Sequence, residues 1–185
     1  MTEKDKMLAS VLYDANNEVL MKERILCKDL CFDFNNTKPS DTEKQKEIMH
    51  KILGNIKGNF FITTPFWCDY GYNIEIGENF YTNHNCVILD CGKVTFGDNV
   101  FIGPDCGFYT AGHPIDYKTR NTGLEYAKPI TIGNNVWFGG GVKVMPGVTI
   151  GNNVVIGSGS IVTKDIPDNV VAAGNPCHVI RSIDN

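Results

Sequence analysis

Between residues 130 and 167 the chain reads ITIGNNVWFGGGVKVMPGVTIGNNVVIGSGSIVTKDIP. Ile132, Phe138, Val144, Ile150, Ile156 and Val162 follow one another at intervals of six without a slip. A second register, four residues behind, holds Val136, Val142, Val148, Val154, Ser160 and Ile166. Eleven of these twelve positions are apolar in a chain that is 42% hydrophobic, so composition alone does not produce the pattern. A period of six fits neither a helix nor an alternating strand; it is the hexapeptide signature of a parallel β-helix. Three hexads complete a coil, as the 18-residue separation of Ile132 and Ile150 requires. Each flat face then contributes a short strand stacked about 4.8 Å from the next. The apolar registers are expected to fill the prism, with Gly and Asn at corners that need positive φ.

The same grammar extends upstream. The tetrad I-G-x-N recurs at Ile76–Asn79, Ile132–Asn135 and Ile150–Asn153, with a Phe variant at Phe96–Asn99. Ile76, Thr82 and Ile88 continue the first register, and Phe96, Ile102 and Phe108 resume it after a two-residue insertion. Cys86 and Cys106 fall in the second register, as does Cys68 if the first coil is extended back; Cys91 lies off it. The large break is AGHPIDYKTRNTGLEYAK, residues 111–128, which has no hexad phase and carries His, Asp, Arg, Glu and two Tyr. A long excursion from a strict solenoid points to function. Beyond residue 166 the repeat dissolves, and residues 170–180 are expected to close the prism, whose open strand edge needs cover.

Residues 1–57 form a second region, read as a small helical cap on a β-helical domain of residues 58–185. Met7, Leu8, Val11 and Leu12 share one helical face, and Val19, Leu20, Leu26 and Leu30 suggest another. Ser40 and Glu43 read as a capping box for a third helix, with Ile48, Met49, Ile52 and Leu53 as its apolar stripe and Gly54 as its stop. The net charge of −4 provides no basic stripe for nucleic acid. No apolar run is long enough for a membrane span. The charged N-terminal residues lack a signal peptide's apolar core, and a cytoplasmic location is expected.

Seven cysteines include no C-x-x-C pair. Cys27 and Cys31 have no partner pair nearby in sequence, so they read as reduced, packed thiols rather than half of a zinc site. Of four histidines, His50 lies on the third helix, His84 on an outward coil position and His178 near the C-terminus. His113 opens the excursion, followed by Pro114, which restricts the backbone. An imidazole, with an ordinary pKa of about 6.5, can take a proton from an alcohol at neutral pH. The three-histidine site of β-helical carbonic anhydrases, two of whose histidines lie five residues apart, is not matched, because the fifth residue after His113 is Lys118; no metal is expected. There is no P-loop and no G-x-G-x-x-G opening a helix.

Several stretches together resemble the maltose and galactoside O-acetyltransferases of the hexapeptide-repeat superfamily. They are Thr110–Pro114 (TAGHP), Pro129–Trp137 (PITIGNNVW), Pro146–Gly151 (PGVTIG), Gly157–Pro167 (GSGSIVTKDIP) and Ala172–Pro176 (AAGNP), along with the helical cap. The resemblance implies a left-handed parallel β-helix forming homotrimers, with active sites between subunits and the excursion loop reaching toward a neighbour. It implies acetyl-CoA as co-substrate, a sugar hydroxyl as acceptor and His113 as general base. Asp14, Asp69, Tyr81, Asn83 and Glu125 match acceptor-site positions. Asn83, Trp137, Gly140, Ser158, Thr163, Lys164 and Arg181 match the cofactor groove, with the Gly140 N–H suited to an oxyanion and Lys164 and Arg181 to phosphates. Asp69 and Cys91 stand where galactoside enzymes carry Ser and Asp, Glu125 replaces their Met as in the maltose type, and His178 replaces an Arg. Two other readings stand beside this one: a same-fold acetyltransferase acting on an antibiotic, serine or amino-sugar, and a non-catalytic solenoid.

Overall fold

The computed structural model describes residues 1–183. From Asn55 onward the chain winds as a parallel β-solenoid of about six turns. The first face stacks Asn55–Ile56, Ile74–Ile76, Val94–Phe96, Ile130–Ile132 and Thr149–Ile150. On the second lie Phe60–Ile62, Phe80–Thr82, Phe101–Ile102, Val136–Phe138, Val154–Ile156 and Val170–Gly174. The third holds Phe66–Cys68, Cys86–Leu89, Gly107–Tyr109, Lys143–Val144 and Ile161–Val162. All twelve register positions from Ile132 to Ile166 are buried. Ser160, the one polar member, donates to Gly157 O and accepts from Gly174 N at 3.0 Å, so its hydroxyl is satisfied inside the prism. Phe80, Phe96, Phe108 and Phe138 form a continuous aromatic column, their centroids 5.0, 5.0 and 5.2 Å apart.

The corners divide their labour differently from expectation. Asn79, Asn99, Asn135 and Asn153 adopt φ between 54° and 57°, and their side chains form ladders such as Asn79 Nδ2 to Asn99 Oδ1 at 3.0 Å. The glycines of the same tetrads do not have positive φ. They are required by close approach: a Cβ on Gly133 would stand 2.7 Å from the backbone of Gly151 in the next coil.

Register reports coil length. Phe60 pairs with Phe80 and Phe66 with Cys86, so the first coils are 20 residues long. Gly107 pairs with Lys143, an excursion coil of 36; Val136 then pairs with Val154, a coil of 18. The two extra residues precede Ile76 as well as Phe96. Cys68 therefore aligns with Ile88 in the first register, not the second as extrapolated, though it is buried either way. The chain ends in a hairpin, Val170–Gly174 with Cys177–Ser182, that adds an antiparallel edge strand.

The cap consists of three helices, the last ending at Ile52, with a two-residue strand between the first two. Helix α1 (Glu3–Leu8) is short, capped reciprocally by Thr2 and Asp5; of its expected stripe only Met7 is buried, and Leu8, Val11 and Leu12 are exposed. Helix α2 (Glu18–Asn36) starts at an Asn17 cap and buries Leu20, Cys27, Cys31 and Phe34, leaving Val19 and Leu26 in solvent. Helix α3 (Thr42–Ile52) is capped by Asp41, which accepts from Lys44 N, one residue later than the Ser40 box. Its stripe of Ile48, Met49, Ile52 and Leu53 is buried as expected. Gly54 is no left-handed stop: a Cβ there would collide with Tyr72 O. Helices α2 and α3 cover the mouth of the first coil and share its core. Among the described residues no helix is long and apolar enough to cross a membrane.

Candidate active site

The excursion is a hairpin, not a free loop. Strands Ala111–Gly112 and Leu124–Ala127 pair antiparallel, with helix α4 (Tyr117–Arg120) at the tip. A two-residue cap strand, Tyr13–Asp14, pairs with Leu124 and Glu125, making a three-stranded sheet that binds hairpin to cap. The two-residue insertions and the excursion all leave the solenoid after the third face. They stack Asp69, Cys91 and His113 along one corner.

That corner forms a cleft of ≈ 430 Å³ lined by His113, Glu125, Asp69 and Cys91, with Arg24 and Lys28 from α2. His113 is half-exposed, its Nε2 3.8 Å from Glu125 Oε1. Its Nδ1 lies 3.3 Å from Leu124 O. A carbonyl can only accept, so this contact assigns the proton to Nδ1 and leaves the Nε2 lone pair free. Glu125 is held from behind: the buried Tyr13 donates its hydroxyl to Oε2 at 2.9 Å. Burial pushes the Tyr13 phenol far above its ordinary value, with Cys91 and Glu125 adding to the rise, so it remains a donor. Burial also raises the Asp69 carboxyl, against the pull of Lys28 and Arg24. The Cys91 thiol is pushed up to about 12, by burial and then by Asp69 and Glu125. A polar cleft with a base, two carboxylates and two cations suits a polyhydroxylated ligand.

A second groove, ≈ 290 Å³, lies where the chain enters the third face. Tyr81, Asn83, Phe101, Pro104, Trp137, Gly140 and Ser158 are in its wall. Trp137 is exposed, and Tyr81 packs between Phe61 and Phe101 at 6.1 and 6.5 Å. The Gly140 N–H donates to no group among the described residues. Gly140 and His113 thus stand at opposite ends of the third face, and no residue lines both spaces.

Most expected positions fall into these two groups. His113, Asp69 and Glu125 share the first; Tyr81, Asn83, Trp137, Gly140 and Ser158 share the second, so Tyr81 and Asn83 lie apart from the other acceptor positions within one chain. Asp14 is exposed on the cap strand, accepting from Asn16 N at 2.9 Å, and lines neither space. Thr163, Lys164 and Arg181 are exposed and outside the groove's wall. His84 hydrogen-bonds Thr64 O, His50 packs edge-on against Phe60 at 5.7 Å, and His178 contacts Pro176 O at 3.2 Å. Tyr13, Arg24 and Lys28 were not anticipated, because nothing in the cap's helical periodicity marks residues that reach a hairpin about a hundred positions away. Cys27 and Cys31 are buried as expected, but the fold adds the partner missing from the local sequence, Cys68.

A solenoid of stacked hexads bearing a histidine hairpin defines a hexapeptide-repeat transferase. The bacterial transferase hexapeptide (six repeats) pattern matches residues 129–164. The maltose acetyltransferase hexapeptide capping motif matches residues 6–58. A Saccharomyces cerevisiae protein with an acetyltransferase designation is 56% identical over 180 residues, 97% of this chain and 92% of the relative. The crystal structure of a maltose O-acetyltransferase from Clostridium difficile 630 superposes with a TM-score of 0.98 at 53% identity, covering 100% of this chain and 99% of that one. A galactoside acetyltransferase in complex with coenzyme A gives a TM-score of 0.96 at 46% identity, covering 100% and 92%. The chain belongs to the maltose/galactoside O-acetyltransferase family and is an acetyltransferase of that type.

Proposed function

We propose that the protein transfers the acetyl group of acetyl-CoA to a hydroxyl of a sugar such as maltose, glucose or a galactoside, in a ternary complex within a cytoplasmic homotrimer. The observation that carries this reading is His113, oriented by Leu124 O and faced by Glu125, at the mouth of a polar cleft in its own chain. Nε2 takes the proton of the sugar hydroxyl as that oxygen bonds to the thioester carbonyl carbon. The new imidazolium gains from the carboxylate 3.8 Å away. The oxyanion is met by the unengaged N–H of Gly140. Collapse breaks the carbon–sulfur bond, and the departing thiolate recovers the proton from His113. The separation of His113 from Gly140 along the third face supports a site shared between subunits: one chain's base works against its neighbour's groove. A galactoside acetyltransferase solved with coenzyme A supports acetyl-CoA as the co-substrate, and the groove at Gly140 is assigned to it. Lys164 and Arg181 serve its phosphates.

In steady-state assays of thiol release, His113→Ala should lower kcat by roughly 10²-fold or more while the trimer and acetyl-CoA affinity persist. Wild-type turnover in that variant would remove His113 from its role. Lys164→Ala should raise the KM for acetyl-CoA with saturated turnover nearer normal. A panel of sugars, serine, amino-sugars and antibiotics under the same readout decides the acceptor class.

A further inference from the structure

Three thiols meet where α2 crosses the mouth of the first coil. Cys27 and Cys31 stand one helical turn apart on the buried face of α2. Cys68 ends a third-face strand and points inward beneath them. Its Sγ lies 3.4 Å from that of Cys27 and 3.8 Å from that of Cys31, and all three sulfurs fall within 4.8 Å of one another. None is in a disulfide, and all are buried. A tetrahedral ion with metal–sulfur bonds of about 2.3 Å holds its thiolates about 3.8 Å apart. The triangle is therefore close to one face of such a tetrahedron before any ion enters. The C-x3-C spacing also lies within the usual range for zinc ligands.

A second, independent feature lies on the adjoining strand. Cys68 pairs with Ile88, and two residues beyond Ile88 the carboxylate of Asp90 is fully buried. Its Oδ1 accepts from the N–H groups of Asp69 and Tyr70, immediately after Cys68, at 3.0 and 2.9 Å. Its Oδ2 has no hydrogen-bond partner among the described residues. Buried, unpartnered carboxylate oxygens are costly and uncommon. Arg24 does not relieve this one, being engaged with Tyr70 Oη and Ala15 O. There is also an approach: Cys27 forms part of the wall of a surface cleft of ≈ 280 Å³ with Glu23, Tyr70 and Tyr72.

We propose that Cys27, Cys31 and Cys68 form a site for one thiophilic cation of the zinc type, stapling α2 to the first coil. Binding would release thiol protons to solvent and leave a fourth position for water. The inference is independent of the acetyl-transfer assignments, since none of the three thiols lines the His113 cleft or the Gly140 groove.

The test is titration of the full-length, reduced and metal-stripped protein with cadmium, followed by its thiolate charge-transfer absorption, with zinc as competitor. One equivalent per chain is expected, together with a zinc-dependent rise in the unfolding midpoint. Cys27→Ser and Cys31→Ser should each weaken binding by roughly 10²-fold, whereas Cys106→Ser, a buried thiol elsewhere, should not. Acetyl transfer by the variants reports that they fold. Absence of the band at one equivalent, or a band retained in both variants, overturns the proposal. So does isolation of a Cys27–Cys68 disulfide whose reduced form takes up no metal.

Discussion

Replacing Tyr13 by Phe deletes one oxygen from the protein and tests whether the cap tunes His113 in its proposed role as base. The hydroxyl is buried and its acceptor, Glu125 Oε2, lies 2.9 Å away. A hydrogen bond to a charged group is worth about 1.5–3 kcal/mol, so a stability loss of about 2 kcal/mol is expected. The catalytic effect runs through Glu125, which without its anchor can swing from its place 3.8 Å from His113 Nε2. At that separation a full charge pair is worth about 1 kcal/mol in water and about 4 kcal/mol at an effective dielectric constant of about 20. His113 is half-exposed, which puts the loss toward the lower value, about a tenfold fall in kcat. Initial rates of thiol release at saturating substrates measure it, with the KM for acetyl-CoA unchanged. In a Glu125→Ala background the same substitution should leave kcat within about twofold, because its route is gone. An equal fall in both backgrounds, or lost stability with undiminished kcat, would refute the coupling.

Corner conformation makes a separate prediction: Asn135, at φ 57°, should tolerate Gly at a cost below about 1 kcal/mol but lose about 2 kcal/mol as Val. Chemical denaturation measures both, and equal losses would deny the importance of the sign of φ. Phe108→Ala, removing a fully buried ring edge-on to Phe96 and Phe138, should cost about 3–5 kcal/mol; a loss under about 1 kcal/mol would mean the column is not packed. Cys91, its thiol pushed up to about 12, should resist iodoacetamide at a mildly alkaline pH that modifies the unfolded chain. Because the folded state holds this proton more tightly, stability should fall as pH rises past the ordinary thiol value of about 8.5. Rapid alkylation of folded protein at Cys91 contradicts that environment.

The solenoid was legible because its order is written locally. Ile132, Phe138 and Val144 face inward for the same reason as Ile150, Ile156 and Val162, each coil burying what the previous one leaves open. The two-residue insertion before Phe96 was visible as a slip of phase, and the excursion as its loss. Residues that the resemblance singles out, such as His113 and Glu125, could be placed in the chain but not in relation to one another. The cap was read less well: isolated helical periodicity put Val11, Leu12 and Leu26 on buried faces, while the real boundary of α2 was drawn by what the coil's mouth accepts, Cys27, Cys31 and Phe34.

What the sequence determined by itself was the six-residue order: the inward-facing hexads and the point where the wall opens. Only the tertiary structure decided that Tyr13 reaches Glu125 across 112 residues and that Cys68 joins Cys27 across 41. Those contacts depend on how the cap docks, and docking is set by the summed shape of two surfaces. No single residue's neighbours along the chain carry that information.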